Sequence, residues 1–158
     1  MKRNIKIISI IIFSLLLLSC GFKTINQKSG AVIDIRNIKI SGDKRISQFV
    51  KNNILILSDS NSKNKYNIEL NINKQRNSKI KNSAGRVIRY SVIISLDLQL
   101  TNLKDNKKIR KLFVRSGDYD VASVHSETIT NESSTIKNLI TQVSDDAINF
   151  ISLLMRSE

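Results

Sequence analysis

The sequence predicts a two-layer α+β sandwich in the order β-α-β-β-β-α, with two helices packed on one face of a four-stranded mixed sheet. Three features point there. Tyr66 to Ile72 and Ile88 to Leu100 alternate apolar with polar residues, the period of a strand with one buried face. Lys44 to Leu57 and Ile129 to Leu154 repeat apolar residues every three to four positions, as amphipathic helices do. The chain has no Pro and five Gly in 158 residues, so regular elements joined by short polar turns should account for most of it.

Taken in order, Ala31 to Ile40 reads as the first strand, with Ile33 and Ile35 in one phase and Ile38 and Ile40 in the other. The change of parity implies a bulge or burial on both faces. Ser41-Gly42-Asp43 is a turn whose Ser or Asp can cap a helix. The helix that follows carries Ile46, Phe49, Val50, Ile54 and Leu57 on its apolar stripe. Asp59 to Asn64 is a loop, and Tyr66, Ile68, Leu70 and Ile72 form the next strand. The far end of that strand turns cationic, and Lys74, Arg76, Lys79, Lys81, Arg86 and Arg89 surround the turn-forming Asn82-Ser83-Ala84-Gly85. Val87 to Leu100 is the strongest strand, ~45 Å at ~3.4 Å per residue. A turn at Leu103 to Asn106 leads into a return strand, Lys107 to Val121, where a bulge is expected at Gly117. A long helix ending near Met155 closes the chain, its stripe running from Ile129 through Ile136, Ile140, Val143 and Ala147 to Leu154. The last three strands should form an antiparallel meander. The far face of the sheet, with Asn67, Glu69, Ser91, Ser95 and Gln99, is polar and must meet water or a partner.

The amino terminus has a different character. Lys2, Arg3 and Lys6 precede an apolar run from Ile7 to Leu18 that is shorter than the roughly 20 residues needed to cross a bilayer. The run ends in Leu17-Leu18-Ser19-Cys20, which holds the only cysteine and resembles the lipobox of bacterial lipoproteins, with Leu18 bulkier than usual. The resemblance implies cleavage before Cys20, a diacylglycerol thioether on its sulfur and an acylated amine. An uncleaved anchor, or an ordinary signal peptide with a buried thiol, are the competing readings. The expected organisation is therefore a signal peptide over 1–19, a lipidated end and polar tether over 20–30, and one domain over 31–158.

Charge is the most unusual total, +13 for the chain and +10 once residues 1–19 are removed. From Lys63 to Arg115 there are 14 basic residues against Glu69, Asp97 and Asp105. Such a field attracts nucleic acid, an anionic membrane or an acidic ligand, and export leaves no nucleic acid to meet. A chain rich in Lys, Ile and Asn throughout also allows a merely solvated surface.

The Cys20-Gly21-Phe22 start, the element order, the basic turn before Tyr90 and its long strand, the Arg115-Ser116 to Asp120 stretch and a final helix with Glu132, Leu139 and Leu154 together resemble the LPS-assembly lipoprotein LptE family. The resemblance implies an outer-membrane lipoprotein on the periplasmic side that plugs the LptD β-barrel, assists its assembly and contacts lipopolysaccharide (LPS). Lys79, Lys81 and Arg86 match the basic positions through which members of the family meet LPS. The family's contact near the start of the last helix is not matched, because His125 and Glu127 stand there. The alternative is an auxiliary lipoprotein of an ABC-type lipid or solute exporter.

Chemistry of other kinds finds little footing. His125 is the single histidine, and with Ser123, Ser126, Asp118 and Asp120 nearby it lacks the nucleophile elbow of a hydrolase. Asp118 and Asp120 share a strand face but lack further ligands for a metal, and Asp145-Asp146 read as a solvated helix edge. No enzymatic activity, metal or cofactor is expected.

Overall fold

The computed structural model describes residues 33–156, so the signal segment, Cys20 and the tether lie outside the described residues. Its elements are β1 (Asp34–Gly42), α1 (Lys44–Leu55), β2 (Lys65–Lys81), β3 (Val87–Asn102), β4 (Lys108–Asp120) and α2 (His125–Arg156). The sheet order is β1-β2-β3-β4. β1 and β2, joined through α1, are parallel, while β2, β3 and β4 form the expected antiparallel meander.

The parity change in β1 is resolved by a register shift between Ile35 and Asn37. Arg36 is the extra residue, and it brings Ile35, Ile38 and Ile40 into line with Tyr66, Ile68 and Leu70 of β2. One face of the sheet is thus apolar along its length. Tyr66, Ile68, Leu70, Ile72, Val92, Ile94, Leu96, Leu98 and Leu100 are buried there, under Ile46, Val50 and Ile54 of α1 and Leu139, Val143, Ala147 and Ile151 of α2. Full burial of each large aliphatic contributes about 1.5–3 kcal/mol, which is what orders these layers. The stripe of α2 is centred on Leu139 and not on Ile140, and Ile129 is exposed.

One expectation changes. The register of β4 against β3 is unbroken from Asp120 to Lys108, so Gly117 marks no bulge. It faces α2 instead, where an added Cβ would lie 3.2 Å from Thr135 Cγ2 and 3.4 Å from Leu139 Cδ2. Absence of a side chain here lets the helix approach the strand. With no phase change, Phe113 and Tyr119 share the helix face, and Leu112 and Val114 are exposed on the other. β2 runs as strand through its cationic far end, Lys74, Arg76 and Lys79, to Lys81.

Gly42 ends β1 and turns the chain into α1. Its φ is +88°, and Asp43 N donates to Ile72 O at 2.9 Å. The Asp43 carboxylate then accepts from Arg45 N and Ile46 N at 3.1 and 3.2 Å, capping the helix as expected. Because β1 stops opposite Ile72, residues 73–81 of β2 project beyond it, paired only with β3.

Candidate functional site

The projection ends in a tight loop. Asn82 N donates to Arg86 O and Gly85 N to Asn82 O, both at 2.9 Å, and Gly85 takes a φ of +75°. A turn closed by a left-handed glycine is a common three-residue hairpin loop. The Asn82 side chain braces it from within, accepting from Ala84 N at 3.1 Å and Arg86 N at 2.9 Å. Two register shifts lie just behind, at Lys79 on β2 and at Ile88 on β3.

Six cations approach this tip, and their partners separate them. Lys74 lies 3.9 Å from Asp43. Arg76 is on the helix face, with its guanidinium carbon 4.9 Å from the centroid of the Tyr90 ring and 3.5 Å between its amine and Glu132 on α2. Tyr90 stacks on Tyr119 at 5.5 Å between centroids. The Tyr119 hydroxyl is enclosed near Arg76 and Glu132 but closes no hydrogen bond with either, and burial pushes its phenol up. This cluster ties the first turns of α2 to the projection. On the open face Lys79 bonds Asp118, and Arg89 grips Asp120 with two bonds of 2.6 and 3.1 Å.

Of the three residues singled out in the sequence, Lys79 is therefore engaged across two strands. Lys81 and Arg86 flank the turn, exposed, with no ion-pair partner among the described residues. Half-exposed apolar side chains lie toward this end of the sheet. Ile80 lies on β2, and Val121 N donates to Ile88 O at 3.0 Å, with Val124 and Ile129 following at the start of α2. Sequence periodicity places Ile129 in the core, whereas it is exposed.

Asp118 and Asp120, weighed above as metal ligands, instead each hold a cation. The Lys79 bond draws the Asp118 carboxyl below the usual carboxylate range, and the Arg89 bonds do the same for Asp120. A carboxyl lowered on folding stabilises above its unfolded pKa, about 4, and loses that contribution as pH falls through its folded value. Amide exchange at the tip should be insensitive to pH-specific loosening from pH 8 to 5, after correction for intrinsic rates, and should loosen below about pH 4. Loosening already at pH 6 would show that these pairs do not brace the tip.

Two other hollows are nearly balanced in charge. One of about 440 Å³ between the helices has Asp43 and Glu132 facing Arg45, Lys74 and Lys137. Another of about 370 Å³ on the open face sets Lys39 and Arg110 against Glu69 and Asp97, with Arg110 bonded to Asp97. Unlike these hollows, the turn sets uncompensated positive charge beside exposed apolar surface. Among the described residues there is no group of three or more His, Cys, Asp or Glu placed to hold a metal, and no helix long and apolar enough to cross a membrane. His125 opens α2 on the surface.

No family model and no curated protein matches the chain. Solved structures do. Rare lipoprotein B from Shewanella oneidensis is similar with a TM-score of 0.60 at 12% identity, over 77% of this chain and 97% of that one. A chain from Caulobacter crescentus CB15 described as a lipoprotein gives 0.55 at 14%, over 76% and 90%. Uncharacterized lipoprotein B from Nitrosomonas europaea gives 0.52 at 13%, over 86% and 93%. At these identities the likeness speaks for the fold, so the chain has an α+β fold that proteins named as lipoproteins share.

Proposed function

We propose that the chain is a lipid-anchored component of the outer-membrane LPS translocon, a non-enzymatic plug and assembly partner of the LptD barrel that contacts LPS through the hairpin tip. The observation that carries this reading is the pair of unpartnered cations, Lys81 and Arg86, at the end of a projecting strand pair among exposed Ile80, Ile88, Val121 and Val124. LPS presents clustered phosphates on an acylated sugar. Lys and Arg meet phosphate oxygens by charge-assisted hydrogen bonds, and the branched side chains suit the neighbouring acyl groups. The lipobox and the pattern of elements read from the sequence supply the anchor and the barrel partner.

Lys81→Ala with Arg86→Ala should weaken LPS binding by about tenfold or more, since each such bond contributes on the order of 1.5 kcal/mol. Co-isolation of a large outer-membrane barrel with the full chain should persist. Changing Lys79 as well would break its bond to Asp118 and confuse loss of contact with a loosened tip, so the double variant is the cleaner test. Unchanged LPS affinity would mean that the turn is only solvated surface. Co-isolation of an inner-membrane ATPase complex in place of a barrel would favour the exporter alternative.

A further inference from the structure

We propose that the opposite end of the sheet is a docking face for the anionic phospholipid headgroups of the leaflet that holds the anchor, used by the chain before a barrel is engaged. The proposal rests on the reading that the chain is anchored through Cys20.

The topology gathers the relevant groups at that end. β1 and β2 both begin there, with Asp34 opposite Lys65, and β3 ends where β4 begins, with Thr101 opposite Lys108. Leu103 N donates to Lys65 O at 2.9 Å, which holds the β3–β4 turn beside the start of β2. Lys63, Lys65, Lys104, Lys107 and Lys108 are all exposed here, with no ion-pair partner among the described residues. The two acids of these loops, Asp59 and Asp105, are exposed, accept from Asn61 N at 2.9 Å and Lys107 N at 3.0 Å, and offset only part of the charge of the five lysines. Apolar groups stand between the lysines. Leu103 is 40% exposed, and Ile56, just after α1, is 80% exposed, more than any other large apolar residue described. Lysines that keep their ammonium groups in water around a few protruding aliphatic side chains match the chemistry of a headgroup surface.

Where the chain comes in decides between this end and the tip, which also combines cations with apolar surface. Ile33 is hydrogen-bonded into this end, its N donating to Leu57 O at 3.2 Å and its O accepting from Asp59 N at 2.9 Å. Twelve residues separate Cys20 from Ile33, and the thirteen steps between the two can span at most about 45 Å. The 17 residues of β2 run ~55 Å from this end toward the tip. Standing on its tip, the molecule would hold Ile33 beyond the reach of its own anchor. The lysine end is the one that can rest on the anchoring leaflet, and the tip then stands off into the aqueous space.

The full lipid-bearing chain, reconstituted in phosphatidylcholine vesicles with and without about 30% phosphatidylglycerol, tests this by amide exchange. Anionic lipid should slow exchange in the Leu103–Asn106 turn and at 56–58 by about tenfold, leaving Ser83–Gly85 unchanged. About 1 M salt, where screening falls to ~3 Å, should remove the protection, as should Lys63→Gln, Lys65→Gln, Lys104→Gln and Lys107→Gln together. The same substitutions at Lys81 and Arg86 should not. Equal exchange in both vesicles, or protection at the tip in place of the base, overturns the proposal while leaving the anchor intact. Failure of the chain to float with neutral vesicles would remove the anchor, and the docking face with it.

Discussion

Replacing Gly42 by Ala should destabilise the domain by about 3 kcal/mol or more, a large share of the 5–15 kcal/mol typical of a folded chain. Two costs combine. A side chain at a φ of +88° sits in the left-handed region, at about 1 kcal/mol for a non-glycine residue. The added Cβ would also fall 1.9 Å from the Ile72 carbonyl oxygen and 2.8 Å from its carbon. That oxygen cannot simply move, because it accepts from Asp43 N, and Gly42 is the residue paired with Ile72 in the β1–β2 register. Relief would separate the last residue of β1 from β2 and displace the Asp43 cap of α1, whose buried Val50 and Ile54 hold that side of the core. Gly85→Ala provides the contrast. Its φ is +75° but nothing lies within 4 Å of the added atom, so only the backbone cost of about 1 kcal/mol should appear. Urea unfolding of both variants measures the difference. A Gly42→Ala midpoint close to that of Gly85→Ala would show that the strand accommodates the clash.

The two strongest strands and both helices were legible because each has one face in water and one in the core, and periodicity records that division. The same rule explains why the cationic far end of β2, 74–81, carries no clear strand period. β1 ends at Gly42, so the outer part of β2 lies beyond most of the helix layer and has little to bury. Its residues need no apolar alternation, and Lys74 to Lys81 is strand without it. A signal did exist in β3, whose alternation persists to Ile88. In a hairpin where Ile68 faces Leu100, a β3 that reaches Ile88 requires a β2 that reaches Ile80, and the register shows this pairing continuing to Lys81. The cation partners were not legible. Nothing local distinguishes Lys79, bonded to Asp118 39 residues away, from Lys81, because the difference is created by the order of strands across the sheet. Likewise Gly117 reads as a strand interruption until the third and fourth turns of α2, at Thr135 and Leu139, are seen to pass close by.

Cys20→Ala should have the largest effect on location, removing at least about 99% of the chain from the outer-membrane fraction under the proposed reading. Each buried methylene of an acyl chain contributes about 0.8 kcal/mol, so a diacylglycerol thioether with an acylated amine holds far beyond the marginal binding of one chain. With the thiol gone, the retained apolar run Ile7 to Leu18 keeps the chain at the membrane where it was made, and the lysines at the base, on the order of 1 kcal/mol each and screened by salt, cannot substitute for covalent lipid in the outer membrane. The expected product is an unacylated polypeptide that retains residues 1–19, whereas the unmodified protein should begin at Cys20 with added acyl mass, both readable by intact mass spectrometry. LPS binding by the variant in detergent should be unchanged, because Lys81 and Arg86 lie ~55 Å from the point where the chain meets its tether. A Cys20→Ala chain that is cleaved normally and still sediments with outer membranes after a high-salt wash would refute the lipid anchor. Loss of LPS binding along with location would instead mean that the acyl chains, and not the tip, recognise the glycolipid.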